Sequence, residues 1–204
     1  MARTAQFGDT SQRILDVAER LVQTRGYNGF SYADIAKSLK LTKASLHYHF
    51  PSKAELGDHL IARYESGFLH ALAVIDASAI DAPERLRRYV EIYGSVVRAN
   101  RMCLCGMLAS EYVTLPAPMK ERLRHFFDAN EHWLVAVLNA GRIAGALRFS
   151  GAAKAAALTI VGSLEGAMML ARSYGEPERF QIAAERVLAD LIGRAGIDAG
   201  LGAA

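Results

Sequence analysis

Disulfide chemistry is the first thing this chain goes without. Among 204 residues it holds two cysteines, Cys103 and Cys105, too few for a stapled extracellular framework. No uninterrupted apolar run nears the roughly 18 residues of a membrane helix. The opening MARTAQFGDT lacks the hydrophobic core of a signal peptide. The sequence carries no G-x-S-x-G, no H-E-x-x-H, no P-loop and no dinucleotide fingerprint, so an enzyme would have to assemble its site from scattered residues. Charge of one sign is also scarce. Twenty-four basic against 21 acidic side chains leave +3, and residues 1–60 hold eight basic against six acidic. Bulk charge is therefore too weak to argue for nucleic acid, and any such affinity must come from placement. There is no strand candidate longer than four residues, no internal repeat and no low-complexity block. These absences lead to the expectation of a cytoplasmic, non-enzymatic protein with no membrane partner, no metal and no cofactor.

What is present is helical punctuation. Residues 1–8 read as a frayed arm. Asp9 with Gln12 resembles a capping box, and Ile14, Ala18, Leu21 and Val22 follow at helical spacing until Gly26. The organising stretch runs from Phe30 to Leu56. Ser31 with Asp34 forms a capping box opening one short helix, Thr42 caps a second, and Pro51 ends it. Ser52 with Glu55 then opens a helix of about twenty-five residues. Two short helices on a tight turn make a helix-turn-helix, whose second helix is shaped to enter a DNA major groove. Downstream, Asp81 and Pro83 restart the chain, and Thr114–Pro118 breaks it again. A helix is predicted to run to about Asn139, with Gly141 and Gly145 marking a loop and Ser150 an N-cap. Two apolar helices follow, at about 152–174 and on to about Arg194. The fold class is all-α, with about nine helices: a three-helix helix-turn-helix (DNA-binding) domain over 1–52, a linking helix over 53–77, a larger helical domain over 78–197, whose ligand-binding and dimerisation roles are only what a family resemblance implies, and a tail over 198–204.

The motifs S-Y-A-D-I-A, L-T-K-A-S-L-H-Y-H-F and P-S-K-A-E-L between Ser31 and Leu56 resemble the DNA-binding domain of TetR/AcrR-type bacterial transcriptional regulators. The resemblance implies a homodimeric regulator, most often a repressor, that binds double-stranded DNA at a palindromic operator and is released by a small-molecule effector. It also exposes two departures. Lys40 stands where the family usually has Gly, which predicts a left-handed backbone there at a cost of ~1 kcal/mol. His47 stands where the family usually has Tyr.

On the second short helix, Lys43, Ala44, Ser45, His47 and Tyr48 turn outward while Leu46 and Phe50 turn in. The resemblance places Lys43, Ala44, Ser45 and His47 toward base edges, and Thr42, His49 and Lys53 on the DNA backbone; Ser31 and Tyr32 reach neighbouring phosphates. A metal on His47 and His49 is disfavoured, because residues two apart on a helix diverge by about 200°. Ligand-pocket candidates are Tyr89, Tyr93, Cys103, Met107, Tyr112, Phe126, Phe127, Asn130, Trp133, Glu165 and Met168, each of which reads equally as core. Cys103 and Cys105 offer an alternative, a redox- or electrophile-sensing regulator, which requires a thiol of lowered pKa. A helical protein-binding adaptor is a second alternative. For self-association the candidates are the small-residue ridge at Gly162, Gly166 and Leu170 and the apolar positions Val187 and Leu191.

Overall fold

A computed structural model describes residues 8–78 and 80–192. Nine α-helices and one 3₁₀ turn appear among these residues: α1 Asp9–Arg25, α2 Tyr32–Leu39, α3 Lys43–His49, α4 Lys53–Ala77, α5 Ala82–Arg98, α6 Leu104–Ser110, the 3₁₀ turn Tyr112–Thr114, α7 Ala117–Ile143, α8 Ala153–Tyr174 and α9 Glu178–Ile192. By compactness the chain divides into two units. The first takes the chain to Leu69 together with Asn100–Phe127; the second takes His70–Ala99 and the chain from Asp128 onward. This is not the succession of segments expected from sequence, because α6 returns to pack on α1.

The first unit is built on capped short helices. At α2, the Ser31 hydroxyl and backbone N–H both donate to Asp34 Oδ2 at 2.7 Å. Lys40 ends that helix at φ 56° and ψ 40°, the left-handed conformation expected of it, and Leu41 N–H closes the turn on Ala36 O at 2.9 Å. Thr42 Oγ1 accepts from Ser45 N–H at 3.1 Å and starts α3. Ser52 Oγ accepts from Glu55 N–H at 3.1 Å and starts α4. Ile14, Leu15, Ile35, Leu46, Phe50, Leu56, Leu60 and Ile61 are fully buried and form the core. Arg63 on α4 reaches both Asp16 and Glu19 on α1 at 2.6 Å. The expected box at Asp9 does not form. Gly8 is the N-cap without a side-chain bond, and Asp9 lies inside the first turn, where its charge still favours the helix dipole.

In the second unit, Asp81 Oδ1 accepts from Glu84 N–H at 2.9 Å and Pro83 sits in the first turn of α5. α8 and α9 form the closest-packed pair, with α5 against both. Two boundaries differ from expectation. α7 continues through Gly141, which is buried, and the loop starts only at Ala144; Gly145 then takes φ +69°. Ser150 does not cap α8, whose N-cap is Ala152 with no side-chain bond. The expected end of the last helix near Arg194 and the tail 198–204 lie outside the described residues.

Candidate nucleic-acid interface

α3 presents its residues as the spacing demands. Leu46 is wholly buried, while Lys43, Ala44 and His47 are exposed and Tyr48 is 84% exposed, an unusual position for an aromatic ring. Ser45 is half-buried behind the Thr42 cap. Five of the expected DNA-binding residues, Ser31, Tyr32, Lys43, His47 and Lys53, line one shallow concavity of about 360 Å³ together with Phe30 and Ala33. The N-termini of α2 and α4 open beside it, and helix N-termini favour anions.

Four side chains have structural duties beyond those expected from the sequence. Tyr32 is buried and donates its hydroxyl to Phe50 O at 2.8 Å, its ring 4.8 Å from that of His47. Burial pushes its pKa far above the ordinary phenol value, so it remains a neutral donor and braces the end of α3 against α2. His47 Nδ1 lies 3.0 Å from Pro51 O, which leaves Nε2 for the solvent face. His49 turns toward α1, its Nδ1 2.9 Å from Ser11 Oγ.

Lys53 is the fourth. Its ammonium donates to Tyr27 O and Phe30 O at 2.5 Å and lies over both rings, 4.6 and 4.3 Å from their centroids. Of three ammonium donors, one is left for a phosphate. Burial lowers the Lys53 pKa from the usual lysine value, and the Glu111 and Asp34 charges act in the opposite direction. Sequence reasoning missed Glu111 altogether. Its carboxylate accepts from Tyr27 N–H at 2.5 Å and from Asn28 N–H at 3.1 Å, across more than eighty residues of chain. The only sequence signal was an acidic side chain following the apolar run 102–109.

The expected ligand residues divide between the units. In the second, Tyr89 donates to Asn130 Oδ1 at 2.7 Å, Asn130 Nδ2 donates to the Tyr93 hydroxyl at 2.9 Å, and Trp133 stacks on Tyr89 while donating to Asp76 at 3.0 Å. Asn130 is fully buried and Met168 nearly so, while Glu165 is half-buried. The Tyr89–Tyr93–Asn130 cluster is a satisfied polar core rather than an open site. In the first unit, Phe126 is buried against Tyr64, Phe68 and Phe127. The Tyr112 hydroxyl accepts from Arg124, and Met107 is half-buried. Cys103 and Cys105 are 2% and 0% exposed. The Cys103 sulfur receives Gly106 N–H at 3.5 Å and the Tyr64 hydroxyl at 3.7 Å. Burial of this kind is the setting of a small hydrophobe.

A different concavity, of about 480 Å³, lies in the second unit between α5 and α9, floored by Val90, Gly94, Phe180, Ala184 and Leu188 and rimmed by Arg87, Glu91, Gln181 and Glu185. None of the expected ligand residues lines it. α8 is long and apolar enough by length and composition to cross a membrane, and much of it stays uncovered. Leu158, Met169 and Leu170 (58%) are exposed along it, Ile182 (68%) is exposed on α9, and Gly162 and Gly166 have nothing within 4 Å of an added Cβ. Val187 is half-buried on α9. Leu191, expected at an interface, is instead buried in its own unit, its carbonyl accepting from Arg148 N–H at 2.7 Å.

Residues 14–60 match the family model described as bacterial regulatory proteins, tetR family, and residues 82–187 match that described as tetracyclin repressor-like, C-terminal domain. A TetR-family transcriptional regulator from Agrobacterium tumefaciens superimposes with a TM-score of 0.87 at 32% identity, covering 90% of this chain and 97% of that one. The HTH-type transcriptional regulator EthR of Mycolicibacterium smegmatis is 33% identical over 89 residues, 42% of this chain and 40% of EthR. IcaR of Staphylococcus aureus, a negative transcriptional regulator of a biofilm operon, is 48% identical over 44 residues, 22% of this chain and 24% of IcaR.

Proposed function

The chain belongs to the TetR family of bacterial regulatory proteins and is a DNA-binding transcriptional regulator, not an enzyme; on that premise we propose that it acts in the cytoplasm as a homodimeric repressor of a palindromic operator, released by a small-molecule effector. The observation that carries this reading is the outward face of α3, where Lys43, Ala44, His47 and Tyr48 are free of the core beside a concavity suited to phosphate. Lysine on guanine and hydroxyls on either base or phosphate suit such a face. The uncovered apolar face of α8 and α9 supports a second copy, and a two-fold pair supplies the symmetry that paired half-sites require. Repression is favoured by the likeness to IcaR over the DNA-binding segment. The concavity between α5 and α9 has the size of a small-molecule site and is the place we assign to the effector, in preference to the closed Tyr89–Asn130 cluster. Release then requires the effector to bind one conformer of the dimer better than the other.

A gel-shift titration against fragments from the promoters flanking the protein's own gene tests the proposal. The expected result is sequence-selective binding that weakens steeply with salt and protects an inverted repeat. Equal affinity for every fragment, or a protected site without two-fold symmetry, would overturn it.

A further inference from the structure

The turn between α1 and α2 is gripped from two sides by opposite charges. Gly26 ends α1 at φ +84°, its N–H on Val22 O at 2.9 Å, which leaves the next two N–H groups pointing away from the helix. Glu111 takes both of them, one on each carboxylate oxygen. On the other side, the carbonyls of Tyr27 and Phe30 converge on the Lys53 ammonium. Tyr27 therefore links the two charges through its own backbone, N–H to the carboxylate and C=O to the ammonium. Hydrogen bonds to ionised groups are roughly twice as strong as neutral ones.

Glu111 is well placed to hold this grip. It is the C-cap of α6, and both Thr114 N–H and the Thr114 hydroxyl donate to its carbonyl, at 3.0 and 2.9 Å. Asn28 Nδ2 adds a second strut to Thr114 Oγ1 at 2.8 Å, and Met102 N–H a third to Gln23 O at 3.1 Å. Gly26 makes room for the carboxylate, since a Cβ there would stand 2.9 Å from Glu111 Oε1.

We infer that Glu111 is a positioning residue for DNA binding: by fixing the α1–α2 turn it holds Lys53 in the concavity beside Ser31, Lys43 and His47, where the remaining ammonium donor meets a phosphate. The α6 segment thus acts on the DNA-facing surface through one carboxylate. The inference rests on the assignment of Lys53 to the DNA backbone.

The test is a double-mutant cycle on the full chain, read by fluorescence anisotropy with a 30-bp duplex of arbitrary sequence across a salt series. Lys53→Ala should weaken binding several-fold and flatten the salt slope by about one counterion. Glu111→Ala should reproduce both effects. The double variant should bind within about two-fold of Lys53→Ala alone, because the two side chains act as one unit. Losses that add, or a Glu111→Ala protein that binds like wild type at every salt, would overturn the inference. A Lys53→Ala protein of unaltered affinity would instead overturn the assignment of Lys53. Should Glu111→Ala be too unstable to assay, Glu111→Gln, which keeps one acceptor oxygen, carries the same cycle with a smaller first step.

Discussion

Asp34 shows how much one side chain does at the edge of the reading head. The Ser31 hydroxyl and then the Ser31 backbone N–H hold its carboxyl below the usual carboxylate value, with Arg25 a lesser cause. A depressed folded pKa contributes stability that is present above the unfolded value of about 3.9 and is lost as pH falls through the folded value. Asp34→Asn should therefore lower the urea midpoint at pH 7, and the gap to wild type should close in strong acid; a gap of constant size would contradict the capping role. This box was legible in the sequence because both partners sit within one helical turn, and the left-handed Lys40 was legible through the resemblance to a family that usually has Gly at that position. Glu111 was not legible. Its partners lie more than eighty residues away, and nothing local separates a turn-gripping carboxylate from a solvated one. The burial of Tyr32 was not legible for a related reason: an eight-residue helix shows too little periodicity to say that its aromatic turns inward.

Helices α5 and α7 make the same point in larger units. A glycine costs about 1 kcal/mol in a helix interior relative to alanine, so Gly141 read as a breaker. The helix passes through it because the backbone needs the missing side chain: an added Cβ would stand 2.4 Å from Leu147 Cδ1 and 2.7 Å from Ala82 Cβ. Gly141→Ala should accordingly destabilise the fold by about 1–3 kcal/mol despite its better helix propensity, as overpacking does. Thermal unfolding of the variant checks this, and a raised Tm would refute the close-approach explanation. The stripe Tyr89, Tyr93, Asn130 and Trp133 reads from sequence equally as pocket or as core. Whether it lines a pocket or closes a core depends on which polar atoms meet across α5 and α7, and spacing along either helix is silent about that. Small-residue ridges are equally ambiguous. Gly162 and Gly166 do lie on an open face, whereas Leu191, on the same register of argument, is tied to the segment before α8.

For the molecule as a whole, consecutive segments along the chain proved a poor guide to its compact units. The stretch 100–127 rejoins the first unit because α6 packs on α1, a pairing of helices some eighty residues apart that periodicity does not encode. The exposed apolar face is the feature to test at this scale. Leu170→Glu on that face should convert the proposed dimer to monomer in size-exclusion chromatography with light scattering. Operator affinity should fall at least ten-fold with it, since two linked half-sites become one. A dimer that survives the substitution would place the interface elsewhere. The division of the chain into two units also has an optical consequence. Trp133 is the only tryptophan in the sequence, stacked on Tyr89 and bonded to Asp76, with all three residues in the second unit. Selective excitation of indole therefore lights one unit and leaves the other dark. A change in that emission when DNA is added to the dark unit would therefore report on the lit unit, with no label attached to either.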